Sequence, residues 1–261
     1  MTPARPRRPL ALLALTMLVV LPCRTWAGTS APGVNLRWDR CFADGGTWNK
    51  VFACDSNGGS ENLVGTFELA QPLTDVVSVE VVLDLRSESP TLPAWWSLAY
   101  SGGCRSGSMD FRPDAFPLLE QCTYDGVNTG GGLAAYSIGL QGPSHVRLTG
   151  AFATPTLRAA NLASGIEYYA FSVLIDHRKT VGTGACGGCQ VPVCAFLSRI
   201  SLYQRGANTA AINLQRGANW SGSQYVTWQN GYPVDVHYEC DPSAPACTPC
   251  SCACTRRPWW S

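Results

Sequence analysis

Charge is what this chain has least of. Of 261 residues only 14% are Asp, Glu, Lys or Arg, nearly balanced at 19 basic and 18 acidic for a net charge of +1. No long basic stretch is present to neutralise phosphates, which argues against nucleic acid as a partner. No segment carries the helical apolar period that alternating β-α units need, which argues against a parallel α/β enzyme fold. Catalytic signatures are missing too: there is no Gly-x-Ser-x-Gly elbow, no His-Glu-x-x-His and no Walker loop. What is abundant is apolar residues at 46%, with 26 Gly, 18 Pro and 13 Cys, a composition that fits neither a disordered chain nor a coiled coil.

Residues 1–27 hold Arg5, Arg7, Arg8 and Arg24 and no acid, with an apolar run from Leu10 to Leu21. That run is shorter than the ~20 residues needed to span a bilayer, and Thr25-Trp26-Ala27 offers small residues where a signal peptidase reads. Cleavage after Ala27 is expected, leaving a protein that is secreted, periplasmic or held at the cell surface. Losing those four arginines from 19 basic residues against 18 acidic ones turns the net charge to −3. No second apolar stretch long enough to span a membrane follows.

Cleavage also removes Cys23, taking the cysteines from 13 to 12. An even number in an exported chain points to disulfides. Spacing favours local staples, Cys41 with Cys54 and Cys104 with Cys122, each stabilising by ~3 kcal/mol in the chain-entropy model. Cys186, Cys189 and Cys194 form a cluster within reach of Cys240, and Cys247, Cys250, Cys252 and Cys254 a tail group. Cys186-Gly187-Gly188-Cys189 mimics a redox pair but is followed by Val191-Pro192-Val193 rather than a helix, so its cysteines read as members of separate staples. The tail spacing favours disulfides over a zinc site, and no cofactor is called for.

Period two dominates the hydrophobic pattern. Val77, Val79, Val81, Leu83 and Leu85 share one face of Asp75–Arg86, and Ser78, Glu80, Asp84 and Arg86 the other, as in a half-buried antiparallel strand. Val34, Leu36 and Trp38 alternate with Asn35, Arg37 and Asp39 in the same way. The pattern recurs in Leu63–Leu69, Ala134–Leu140, Val146–Phe152, Tyr169–Ile175, Phe196–Leu202 and Val234–Tyr238. Thr156–Ala163 alone reads as a helical turn. The expectation is an all-β, antiparallel two-sheet sandwich or jelly roll, stapled by disulfides, over 28–238, with a Cys-rich tail over 239–261.

Leu162-Ala163-Ser164-Gly165-Ile166-Glu167-Tyr168 resembles the tyrosine corner of fibronectin type III domains, with Ser164 in place of proline. The resemblance implies that the Tyr168 hydroxyl bonds back to upstream backbone. Trp38-Asp39-Arg40-Cys41, Phe52-Ala53-Cys54-Asp55-Ser56-Asn57, Leu92-Pro93-Ala94-Trp95-Trp96 and Thr180 to Cys189 resemble a set of uncharacterised exported bacterial proteins. This implies export and a bacterial source, and no site.

Candidate sites are few. Gly182-x-Gly184-x-x-Gly187 has dinucleotide spacing but runs into Cys186 and Cys189 where a helix should begin, so it reads as a turn. His145, His177 and His237 form no metal-spaced pair. Asp55-Ser56-Asn57-Gly58-x-x-Glu61 carries oxygen donors, yet reads as an Asx-rich turn before a calcium loop. The aromatics remain. If Ala94–Tyr100 is a strand, Trp96, Leu98 and Tyr100 share one face and Trp95 points outward; Tyr225 lies opposite Val226 and Trp228, and Trp220 sits in a polar loop. Trp95, Tyr225 and Trp220 are therefore the candidate binding residues, stacking on sugar or seating a protein. The reading is a secreted non-catalytic binding module for carbohydrate or another extracellular polymer or surface protein. A ligand-free structural or protective surface protein, and a glycoside hydrolase-like enzyme using two carboxylates that meet in space, remain open.

Overall fold

A computed structural model describes residues 32–98, 101–113, 122–123, 131–155, 158–206, 211–214 and 224–231. The expected cleavage site, Trp220, Val234–Tyr238, Cys240 and the tail cysteines lie outside the described residues.

Twelve strands are described: β1 (Gly33–Trp38), β2 (Asn49–Lys50), β3 (Ser60–Glu68), β4 (Leu73–Ser87), β5 (Met109–Arg112), β6 (Gly132–Ile138), β7 (His145–Ala153), β8 (Ala160–Leu162), β9 (Glu167–Asp176), β10 (Val193–Gln204), β11 (Ile212–Leu214) and β12 (Tyr225–Trp228). They form two sheets, a smaller one in the order β1-β3-β9-β5 and a larger one in the order β2-β12-β10-β4-β7-β6, with β11 on β10 and β8 on β4. The pairs are antiparallel except β2 with β12. The fold is an all-β, two-sheet antiparallel sandwich.

The core lies between the sheets, where Leu36, Leu63 and Phe67 of the smaller sheet meet Val81, Leu83, Leu148, Leu197 and Ile200 of the larger one. Each large side chain fully buried there stabilises by about 1.5–3 kcal/mol. On β4 the expected face holds from Val79 to Leu85, but Val76 rather than Val77 is buried at its start. The register shifts where Gln204 pairs with Val76 and Tyr203 with Ser78, a bulge that turns Val76 inward.

Two expectations change. Asn35 and Arg37 face no water: they are 2% and 9% exposed, because the loop after β1 folds over the outer side of the smaller sheet. Cys41, Val64, Cys122 and Tyr169 form a second small core under it. Within Thr156–Ala163, residues 156–157 lie outside the described residues, Arg158 is in a 3-10 turn with its N–H on the Pro155 carbonyl at 2.8 Å, and the end of the segment is β8; a further 3-10 turn lies at Ala94–Trp96. The second change concerns the staples, which run Cys41–Cys122, Cys54–Cys189 and Cys104–Cys186 instead of Cys41–Cys54 and Cys104–Cys122. Between Cys41 and Cys54 the chain passes from the smaller sheet to β2 of the larger one, and between Cys104 and Cys122 it runs out along β5. Neighbours in sequence are thereby carried apart. Cys186 and Cys189 do enter separate staples, and Cys194 lies buried on β10.

The corner at Tyr168 forms as its resemblance implies. The Ala163 N–H donates to the Tyr168 hydroxyl at 2.8 Å, and Gly165 turns the chain at φ +72°, a left-handed conformation that favours glycine.

Each staple closes a long loop, so in the chain-entropy model each stabilises by roughly 4–5 kcal/mol rather than ~3. Non-reducing peptide mapping is expected to recover the three pairs above. Replacing Cys54 and Cys189 together by Ser should lower the melting temperature by well over 5 °C, and a peptide joining Cys41 to Cys54 would contradict the assignment.

Candidate functional site

Trp95 does not reach the surface that parity expects of it, and Trp220 lies outside the described residues. Trp95 is 0% exposed. Pro93 opens a 3-10 turn instead of a strand, and with about three residues per turn adjacent side chains no longer alternate between faces, so Trp95 and Trp96 both go inward. The Trp95 ring stacks on Trp228 at 5.1 Å and its Nε1 donates to Thr180 Oγ1 at 3.0 Å. Over its other side lies the Arg105 guanidinium, 3.6 Å from the ring centroid. Tyr225 is half-buried on β12, close enough to Arg37 for the two to interact. Trp95 is a core residue at the end of the sandwich, and the structure does not bring it to a surface with Tyr225.

The polar constellations are tied into the scaffold. Asp84 accepts two bonds from Arg147, at 2.7 and 2.9 Å, and one from the Ser198 hydroxyl, while His145 Nε2 stands 3.4 Å away. Burial by itself would raise the Asp84 carboxyl, but His145, Arg147 and Ser198 together lower it to about 2. The carboxylate stands between serine and imidazole, whereas a nucleophilic triad needs the imidazole in the middle. Glu68 and Glu167 are direct cross-strand partners, the meeting of carboxylates a hydrolase would need. Both Glu167 oxygens, however, are engaged by the N–H groups of Phe42 (3.0 Å) and Ala43 (2.8 Å) and by Thr66, which clamps the loop over the smaller sheet.

A chain of polar contacts runs Asp39, Lys50, Glu61, His177. Lys50 Nζ lies 2.7 Å from Asp39 and 2.6 Å from Glu61, and Glu61 lies 3.1 Å from His177 Nε2. The His177 ring stacks on Phe52 at 3.8 Å. Asn57 Oδ1 accepts from the N–H groups of Thr180 (2.8 Å) and Val181 (3.0 Å), so the Asx-rich segment is a turn clasp. Among the described residues no group of three His, Cys, Asp or Glu is arranged to hold a metal, and no helix is long and apolar enough to cross a membrane.

What is left open is a groove on the outer face of the larger sheet, a recess of about 440 Å³ lined by Ser78 and Glu80 of β4, Ala151 and Ala153 of β7, Leu133 of β6 and Tyr203 of β10. It exists because the middle strands carry small residues there while Leu133 and Tyr203 stand up on either side. Leu133 is 83% exposed. Glu80 is held by Arg199 at 3.1 Å and by the Tyr203 hydroxyl at 2.7 Å, a bond that raises the Tyr203 phenol. Beneath, a Cβ on Gly132 would meet the Phe152 ring at 2.2 Å, so only glycine lets the strand pass there. Period-two reading starts this strand at Ala134 and passes over Leu133. A bulky apolar residue directly after Gly130-Gly131-Gly132 could have singled out Leu133, though not the recess beside it.

No protein-family model matches the chain, and no curated protein matches it. Among solved structures the chain is similar to the second type II cohesin module from the cellulosomal adaptor ScaA scaffoldin of Acetivibrio cellulolyticus, at 8% identity, covering 72% of this chain and 91% of that one, with a TM-score of 0.29. So low a score carries no weight for function.

Two outcomes follow. Trp95→Ala should cost about 3–5 kcal/mol in urea unfolding, as for a buried aromatic, and unchanged stability would return Trp95 to the surface. Asp84 has a folded pKa near 2, below its ordinary 3.8. Its contribution of roughly 2 kcal/mol is present above about pH 4 and is lost as pH falls toward 2. Asp84→Asn should therefore destabilise at pH 7 and make little difference at pH 2; equal destabilisation at both would refute the linkage.

Proposed function

We propose that the protein is an exported, non-catalytic binding module that presents the groove beside β6 to an extracellular polymer or surface protein. The observation that supports this reading is the groove itself. A wide recess walled by a strongly exposed leucine lies on the outer face of a sheet, while Trp228 of that sheet and Trp95 and Trp96 of the 3-10 turn are all turned inward. Recesses of this size with a few polar groups at the rim are where ligands ordinarily bind. Export is supported by the arginine and apolar pattern of residues 1–27 and by three disulfides, which persist where thiols are oxidised.

Carbohydrate binding draws less support than polypeptide binding. Sugars stack on exposed rings, and the groove offers only Tyr203, at its rim. Trp48, 55% exposed, flanks β2 at the other edge of the sheet. A ligand-free protective shell is the second reading, favoured by staples that enclose most of the described chain.

The test compares the mature protein with Leu133→Asp on a glycan array and a displayed-peptide library. Because Leu133 stands in water, the substitution should leave the melting temperature within a few degrees. Retained ligands should be lost by tenfold or more in the variant. Equal retention by both proteins would remove the groove, and silence on both surfaces would favour the shell.

A further inference from the structure

Among the described residues, the register of β6 leaves one side of that strand unpaired. Ala153 N donates to Gly131 O at 3.1 Å and Gly139 N donates to His145 O at 2.9 Å. Between these bonds the ladder runs without a shift from Gly132 opposite Phe152 to Ile138 opposite Val146. Hydrogen-bonded and non-hydrogen-bonded pairs alternate in an antiparallel ladder. Leu133, Ala135 and Ser137 therefore turn their N–H and C=O groups to β7, and Gly132, Ala134, Tyr136 and Ile138 turn theirs away. Among the described residues no group bonds to those outward N–H and C=O groups, and β6 pairs with β7 alone.

Edge strands are normally blunted by lysine, proline, a bulge or a very short length. β6 has none of these. It is seven residues long, its first four residues are exposed, and 131–144 contains no charged side chain. Its single proline, Pro143, lies beyond the strand.

The geometry points to β6 as the docking edge for an extended, uncharged segment of another polypeptide, which adds to the larger sheet as a further strand and lays alternate side chains beside Leu133, at the outer wall of the groove. This rests on the binding-module reading and names its partner class. Backbone donors and acceptors recurring every ~6.8 Å are the complement of another extended backbone, a period that sugar hydroxyls do not share. Charge decides the side chains. The edge is neutral, and the groove's carboxylate, Glu80, already carries Arg199 and Tyr203. A charged strand would be desolvated there without compensation, whereas small apolar or hydroxyl side chains fit beside Leu133, Ala135 and Ser137, which share one face of β6.

The probe is a capped hexapeptide of alternating threonine and valine, with two controls: glutamate in place of threonine, and proline in place of valine. Amide exchange of the mature protein is followed by NMR. The neutral peptide should slow the Ala134 and Tyr136 amides tenfold or more, leave Leu133 and Ala135 unchanged, and lose its effect in both controls. Ala134→Pro removes an outward N–H and no ladder bond, so it should weaken the peptide at least tenfold at unchanged melting temperature. If that variant fails to fold, the exchange measurement on the unaltered protein still decides. Unchanged exchange at Ala134 and Tyr136, or equal binding by a folded Ala134→Pro, overturns the inference. So does protection of those amides that grows with protein concentration alone, which would assign the edge to a second copy. Library ligands that depend on Leu133 but ignore Ala134→Pro would keep the groove and discard strand addition.

Discussion

A guanidinium sealed from water fixes one end of this sandwich. The Arg105 side chain is fully buried and donates to the carbonyls of Trp95 (2.9 Å), Arg178 (2.9 Å) and Asp176. Burying a cation costs several kcal/mol, offset here by those bonds, by the Trp95 ring against its face and by Asp176 nearby. The cost shows in the group itself, since burial lowers the Arg105 pKa to about 10. In return the 3-10 turn, the end of β9 and the loop carrying Cys104 are locked together. Around that point Trp95 meets Trp228, Trp228 donates to the Cys189 carbonyl at 2.7 Å, and Phe52 lies against both Trp228 and His177. Strands that would otherwise splay at this end are held by rings and sulfur.

The opposite ends of the same strands are built differently. Along β10 the chain runs from Val193, beside the tryptophans, to Tyr203 at the groove. There the larger sheet carries alanine and glycine and, among the described residues, an edge strand paired on one side alone. One end is overdetermined by covalent and aromatic contacts; the other, among the described residues, has neither a disulfide nor a tryptophan. Rigid scaffolding at one pole with an exposed surface at the other is an arrangement in which a recognition surface keeps its shape before any partner arrives.

The strands were readable because burial of one sheet face imposes period two, and β4, β7 and β10 obey it over most of their length. Where the reading failed, a specific device intervened. Pro93 turned a supposed strand into a 3-10 turn and took Trp95 with it. The bulge beside Tyr203 exchanged Val77 for Val76. The loop clamped by Glu167 covered Asn35 and Arg37, which alternation alone assigned to water. Disulfide partners were hidden for a simpler reason: contacts in a sandwich are long-range, and spacing in sequence measures only local distance. The groove escaped notice because a recess is made by what small residues leave out, and no pattern of large ones marks it.

The staples also shorten the molecule as a load-bearing object. Cys54 and Cys189 are 135 residues apart in sequence yet joined directly. A pulling force applied across the described chain would pass through that sulfur bridge and bypass everything between. At up to ~3.5 Å per residue, roughly 470 Å of chain is withdrawn from the extensible length. Under tension, the body of the sandwich between those two cysteines behaves as a knot in a rope: it can be dragged, but it does not pay out.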